Sequence, residues 1–238
     1  QQIYVTPTIT YRDLKENKAF IRSVQTGNAG PFASVSVPDV NNIVTHKPDL
    51  GFQFGAMWGY PLSKNITITG GLQLNISKYD IKAYSHPSEV TTIALSTAAG
   101  GSNTVSTFTS YRNIGGFKEN WLRNLYVSAS VPIGLELKLA KNRKGYIGIG
   151  GNVQPAYVID NKSYLLSTDF KNYAEIPSLI RKWNINTGFE VFAASTTGKV
   201  KWRIGPQVRY QTRSSFITKY PVKEHLYDFG IKLGLMLK

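Results

Sequence analysis

Apolar and polar residues alternate with a period of two over long stretches of this chain. The final stretch, residues 225–238, is the plainest case. Tyr227, Phe229, Ile231, Leu233, Leu235 and Leu237 hold every second position. Asp228, Gly230, Lys232 and Gly234 lie between them, and Met236 is the one large exception. A period of two is the signature of a β-strand with two unlike faces. An apolar face unbroken over six positions needs a strand of about 10 residues or more, the length of a tilted bilayer crossing.

The same alternation predicts seven earlier strands. Residues 3–12 come first and carry Pro7, which lacks an N–H and predicts a gap in the ladder. Residues 50–62 set Phe52, Phe54, Ala56, Trp58 and Tyr60 against Gly51, Gln53, Gly55, Met57 and Gly59. Residues 66–79 follow, with the pattern fading beyond Tyr79, and then 122–139, 146–157, 181–194 and 200–211. Short turns at 62–65, 141–145 and 196–198 alternate with long patternless segments at 14–49, 84–120 and 166–180. A medium connection spans 217–224. No stretch approaches the roughly 18 consecutive apolar residues of a membrane helix.

These features predict an all-β fold: a closed antiparallel up-and-down transmembrane β-barrel of about eight strands. It has short periplasmic turns and long extracellular loops, and residues 1–238 form a single domain. Closure follows from hydrogen bonding, because hydrocarbon offers no partner to the N–H and C=O groups of an open edge. The facing pattern puts Arg12, Glu136, Lys138, Glu190, Lys201, Arg203, Arg209, Asp228 and Lys232 in the interior as a polar network. It puts Phe52, Phe54, Trp58, Tyr60, Trp183, Trp202, Tyr210, Tyr227 and Phe229 in a lipid-facing aromatic belt. An eight-stranded barrel is just wide enough to be filled by side chains. A surplus of basic groups in the interior would instead suggest a narrow anion path.

Composition changes this picture little. The formal charge is +14, but the basic residues are scattered over turns, loops and polar strand faces. They do not form the aromatic–basic stripe of a nucleic-acid reader, so the expected anionic neighbours are outer-membrane lipid and lipopolysaccharide. Cysteine is absent, which excludes disulfides, thiolate metal sites and a lipid anchor on a cysteine of this chain. His46, His86 and His225 show no metal-binding spacing. Ser85-His86 and His86-Pro87-Ser88 are adjacent in sequence, but no partner carboxylate is indicated. No catalytic, cofactor-binding or metal-binding residue is assigned. Gln1 opens almost directly into a strand pattern with no signal peptide before it. The chain therefore reads as already processed or as a module of a longer one.

Residues 131–159 (VPIGLELKLAKNRKGYIGIGGNVQPAYVI) and 204–235 resemble the outer-membrane β-barrel family common in Bacteroidota, with an eight-stranded OmpA/OmpX-like barrel. The resemblance rests on the Pro-Ile strand, the Gly-rich strand after it, and the Tyr-Pro-Val-Lys-Glu-His approach to the last strand at 220–225. It covers roughly the last half of the chain. Many members end in an aromatic residue; this chain ends in Lys238. The resemblance implies no single activity. Some members are free-standing barrels, and others are the outer-membrane end of envelope-spanning anti-sigma proteins.

The expected function is that of a non-enzymatic outer-membrane anchor or interaction platform, partnered by other outer-membrane or periplasmic proteins. The alternatives are the barrel end of a longer signalling protein, a small porin, and a lipid-modifying enzyme.

Overall fold

The computed structural model describes residues 1–20, 40–97, 101–197 and 200–237. Among them, twelve strands join in one antiparallel sheet. They are β1 (Gln2–Glu16), β2 (His46–Pro61), β3 (Ile66–Ser96), β4 (Ser102–Arg112), β5 (Lys118–Ser130) and β6 (Ile133–Lys141). After these come β7 (Gly145–Lys162), β8 (Tyr164–Leu166), β9 (Asn172–Glu175), β10 (Trp183–Ser195), β11 (Lys201–Gln211) and β12 (Val222–Met236). A four-residue helix, α1 (Val40–Ile43), precedes β2.

The sheet closes on itself. β1 pairs with both β2 and β12, and β2 pairs with β3. β3 pairs with β5 along its middle and with β6 at its start, and both of these pair with β7. β7, β10, β11 and β12 complete the ring. With β5 and β6 sharing one place, the wall has eight positions, and β4, β8 and β9 lie beyond it.

Four segments depart from the sequence reading. The strand expected at 122–139 is two strands, divided at Val131-Pro132, because Pro132 has no N–H to give the ladder. The wall stays sealed there. Val131 N–H donates to Pro155 O at 3.0 Å, and Gly71 N–H donates to Pro132 O at 3.0 Å. The segment 84–120 is not an irregular loop: β3 continues to Ser96 and folds back as β4 after a register shift between Ser85 and Glu89. Within 166–180, β9 pairs with β8 and with the end of β4, and a 3₁₀ turn follows at Pro177–Leu179. Of the loop expected at 14–49, residues 21–39 lie outside the described residues; β1 and β2 take up its two ends. At Pro7 the β1–β12 ladder lacks the pairs that Thr6 and Pro7 would make.

The strands exchange their faces at one height. On β3, Leu72, Leu74 and Ile76 point out while Gln73, Asn75 and Ser77 point in. Two residues later Lys78, Asp80 and Lys82 point out, and Tyr79, Ile81 and Ala83 are buried. β1 inverts likewise, from Ile9 and Tyr11 outside to Asp13 and Lys15, and from Thr10 and Arg12 inside to Leu14. The register places these inversions level with each other: Asp13 pairs with His225 of β12, and Asp80 pairs with Arg123 of β5.

Below this line the buried face is mostly polar, with Tyr4 and Phe192 as its large exceptions. Above it lies the apolar core, in which Leu14, Ile81, Ile93, Leu122, Leu165, Tyr173, Phe216, Tyr220 and Leu226 pack together. The chain therefore has a polar-filled barrel and an apolar-filled cap on the same strands.

Candidate functional site

The barrel interior is stacked in floors. Nearest the short turns, Arg203 bridges Glu136 and Glu190, with its Nε 2.9 Å from Glu190 Oε1, and Lys232 Nζ donates to Glu190 Oε2 at 3.1 Å. Arg203 lies over the Phe192 ring at 3.5 Å, and Lys232 lies over the Tyr4 ring at 4.1 Å. The next floor is amide: Gln207 Nε2 donates to Gln53 Oε1 at 2.8 Å, and Tyr4 Oη donates to Gln73 at 2.6 Å. Above it Arg209 Nε donates to Asp228 at 2.7 Å, and Arg209 also reaches Ser77 Oγ at 2.8 Å. Thr10 Oγ1 donates to the other Asp228 oxygen at 2.6 Å.

The topmost floor is Glu224, fully buried. It accepts hydrogen bonds from the hydroxyls of Tyr79 and Tyr126, the latter at 2.8 Å. Arg12 lies over the Tyr79 ring at 5.2 Å, and its Nε and Nη2 have no hydrogen-bond partner.

The buried interior holds Arg12, Arg203, Arg209 and Lys232 against Glu136, Glu190, Glu224 and Asp228. Among the described residues, four buried cations thus face four buried carboxylates, and this buried set carries no basic surplus. Two more of the basic residues expected there share the inward phase of Glu136 and Arg203 but lie at its open end. Lys138 and Lys201 are half-buried at the short-turn rim, and Lys138 lies over the Tyr146 ring at 5.2 Å. Glu224 was hidden in the sequence because it falls in the segment read as a connection. It nonetheless shares the period-two face of Asp228 and Lys232, and extending that period backwards from the last strand would have found it.

The outer surface carries the apolar side chains. Phe52, Phe54, Trp58, Tyr60, Trp183, Trp202 and Phe229 are exposed. Tyr210 and Tyr227 are half-buried against each other, their ring centroids 4.6 Å apart. Tyr11 meets Phe229 edge-on at 5.6 Å, and Tyr157 meets Trp183 at 5.1 Å. These rings lie just below the line of face inversion. On β3 the outward apolar band runs from Ile66 to Ile76. At about 3.3 Å per residue and a tilt of about 40° this spans about 25 Å, the height of a membrane-barrel belt. A closed cylinder with a polar filling and an apolar band of this height is an integral membrane barrel of the outer-membrane type. No helix among the described residues is long and apolar enough to cross a membrane.

Beyond the membrane line, the cap is sealed by polar ties as well as apolar packing. Tyr220 Oη donates to Leu166 O at 2.6 Å, and Tyr173 Oη donates to Asn113 Oδ1 at 2.7 Å. Burial pushes both phenols well above their ordinary value. Asn17 Nδ2 donates to the carbonyls of Thr218 and Tyr220, tying the end of β1 to the start of β12.

The chemistry that Ser85-His86 suggested is not assembled. Ser85 Oγ donates to Lys118 O at 3.3 Å, and His86 Nδ1 contacts the Pro87 carbonyl. His86 Nε2 lies 3.6 Å from Glu89, whose carboxylate is gripped at both oxygens by Arg112. That guanidinium holds the Glu89 carboxyl below its ordinary value. Among the described residues no serine hydroxyl bonds to a histidine, and no three His, Asp or Glu side chains converge as a metal site.

No protein-family model matches this chain, and no curated protein matches it in sequence. Among solved structures, the chain is similar to Ail, the attachment invasion locus protein of Yersinia pestis. The identity is 10%, the match covers 98% of this chain and 97% of that one, and the TM-score is 0.34. A second structure, of Ail in complex with the heparin analogue sucrose octasulfate, has the same identity and coverage and a TM-score of 0.30.

Proposed function

We propose that this chain is a non-enzymatic outer-membrane barrel that anchors and presents an extracellular protein-binding platform, of the kind found in Bacteroidota. The observation that carries the reading is the edge of β4. Over residues 102–108, β4 pairs with β3 on one side, and no described residue pairs with its other side. An unpaired strand edge is a ready template for an added strand from another chain. Phe108, on this strand, and Ile114 and Phe117, just after it, are 72–85% exposed beyond the membrane line. Exposed aromatics of this size serve as anchors in protein interfaces. The balanced, side-chain-filled interior supports anchoring rather than conduction. The outward Lys15, Lys78, Arg123 and Lys223 stand where the phosphates of lipopolysaccharide would lie.

The test is site-specific photocrosslinking in native membranes from positions 104, 106 and 108, with position 72 on the lipid face as the control. The reading expects adducts with a protein partner from β4 and lipid adducts from position 72. Lipid adducts alone, or no adduct, from all three β4 positions would refute it.

A further inference from the structure

The buried charges balance among the described residues, so the formal charge of +14 rests on the other residues of the chain, and part of it collects at the short-turn end. Lys64, Lys138, Lys141, Arg143, Lys144 and Lys201 lie in or beside the turns there, and segments 61–67, 137–147 and 195–202 contain no acidic residue. Among the described residues none of these six side chains has an ion-pair partner. Glu136, the nearest carboxylate in sequence, is buried and held by Arg203.

A cleft of about 410 Å³ opens at this rim. One wall is apolar, formed by Trp202 and Ile147 at the lower edge of the membrane band. The other is the basic turn with Lys141 and Lys144. Its floor is small because Ser195 pairs with Gly145. A Cβ on Gly145 would stand 2.4 Å from the Ala194 carbonyl oxygen, so no side chain can fill the space from there.

The turn is rigid. Asn142 Oδ1 accepts from the backbone N–H groups of Lys144 and Gly145 at 2.9 and 2.7 Å, and Lys144 O accepts from Thr196 N–H at 3.0 Å. The two lysines therefore spring from a hydrogen-bonded turn beside an apolar wall, at the boundary between hydrocarbon and water.

We propose that this cleft seats the headgroup phosphate of an anionic phospholipid from the inner leaflet. Lys141 and Lys144 face the phosphate, and the acyl chains run up along Trp202 and Ile147. The proposal rests on the reading of the chain as a membrane barrel with its short turns toward the periplasm. A basic group held against the bound phosphate is expected to contribute a roughly fivefold preference, on the scale of about 1 kcal/mol per lysine near an anionic lipid.

The test uses the full chain in detergent. Native mass spectrometry would measure retention of phosphatidylglycerol, phosphatidylcholine and inorganic phosphate by the wild type, by K141Q/K144Q, and by K64Q as a control on another turn. Phosphatidylglycerol should be retained over phosphatidylcholine, roughly fivefold less for each of the two lysines removed, and unchanged in K64Q. Equal retention of both lipids, an unaffected double variant, or competition by inorganic phosphate as strong as by the lipid would overturn it. A chain that stays monodisperse without detergent would remove the barrel reading itself. A folded barrel without lipid selectivity would remove only this proposal.

Discussion

The barrel and the cap are made from the same strands and follow opposite rules. Below the line through Tyr11, Ile76 and Tyr227 the chain hides Gln, Asn, Thr and paired charges and shows Leu, Ile and Phe. Above it the chain hides Leu, Ile and Tyr and shows Lys, Asp and Arg. The solvent outside each part accounts for the reversal. Hydrocarbon gives no reward for apolar burial, so closure there rests on completed hydrogen bonds and paired charges. Water restores the hydrophobic effect, so the cap is held as a soluble core is held.

Substitutions should therefore act differently in the two parts. The largest effect is expected inside the barrel. Glu190→Leu removes the acceptor shared by Arg203 and Lys232 and should cost about 3–5 kcal/mol, read as the loss of heat-resistant folded migration and a lower urea midpoint in detergent. In the cap, Leu165→Ala should cost about 3 kcal/mol, but locally. Extracellular proteolysis of the cap should rise while the barrel band keeps its folded migration. If both parts fail together, they are one cooperative unit.

Depth in the bilayer should matter as well. Leu74→Arg, within the apolar band, should cost about 2–4 kcal/mol, whereas Lys78→Leu, two positions beyond Ile76, should have almost no effect on stability in bilayers. The smallest effect is expected at the half-buried Glu89–Arg112 pair on the surface of the cap. The Glu89 carboxyl is held low, so the pair's contribution is present above the ordinary carboxylate range and fades as pH falls through the lowered value. Hydrogen exchange in the β3–β4 hairpin should rise slightly on that descent and remain unchanged in Glu89→Gln.

The membrane-level strands were legible because their two faces differ strongly in polarity. The alternation on β3 faded at Tyr79 although the strand continued, since the two faces exchange there and a single rule for inside and outside no longer applies. β4 escaped notice for another reason. In SNTVSTFTSYR both faces carry Ser and Thr, so a strand half in water and half against its partner shows no contrast. The break at Pro132 was visible as a proline, but its place in an otherwise continuous alternation masked it. The interior charges could be listed from the pattern, whereas their pairing depends on which strands become neighbours across the ring. Arg203, for example, meets Glu136 from a different part of the chain.

The exchange of faces at a single height also fixes how the molecule floats. Raising or lowering it by one residue pair would sink lysines into oil or lift tyrosines into water, so its vertical position has little slack. From Lys78, β3 then runs on to Ser96, roughly 60 Å of chain contour, before the hairpin turns back. Its far end lies back on the cap, where Ile93 joins the apolar core and Ser96 N–H donates to Lys219 O at 2.9 Å, so the cap is fastened to a strand whose depth in the lipid is set.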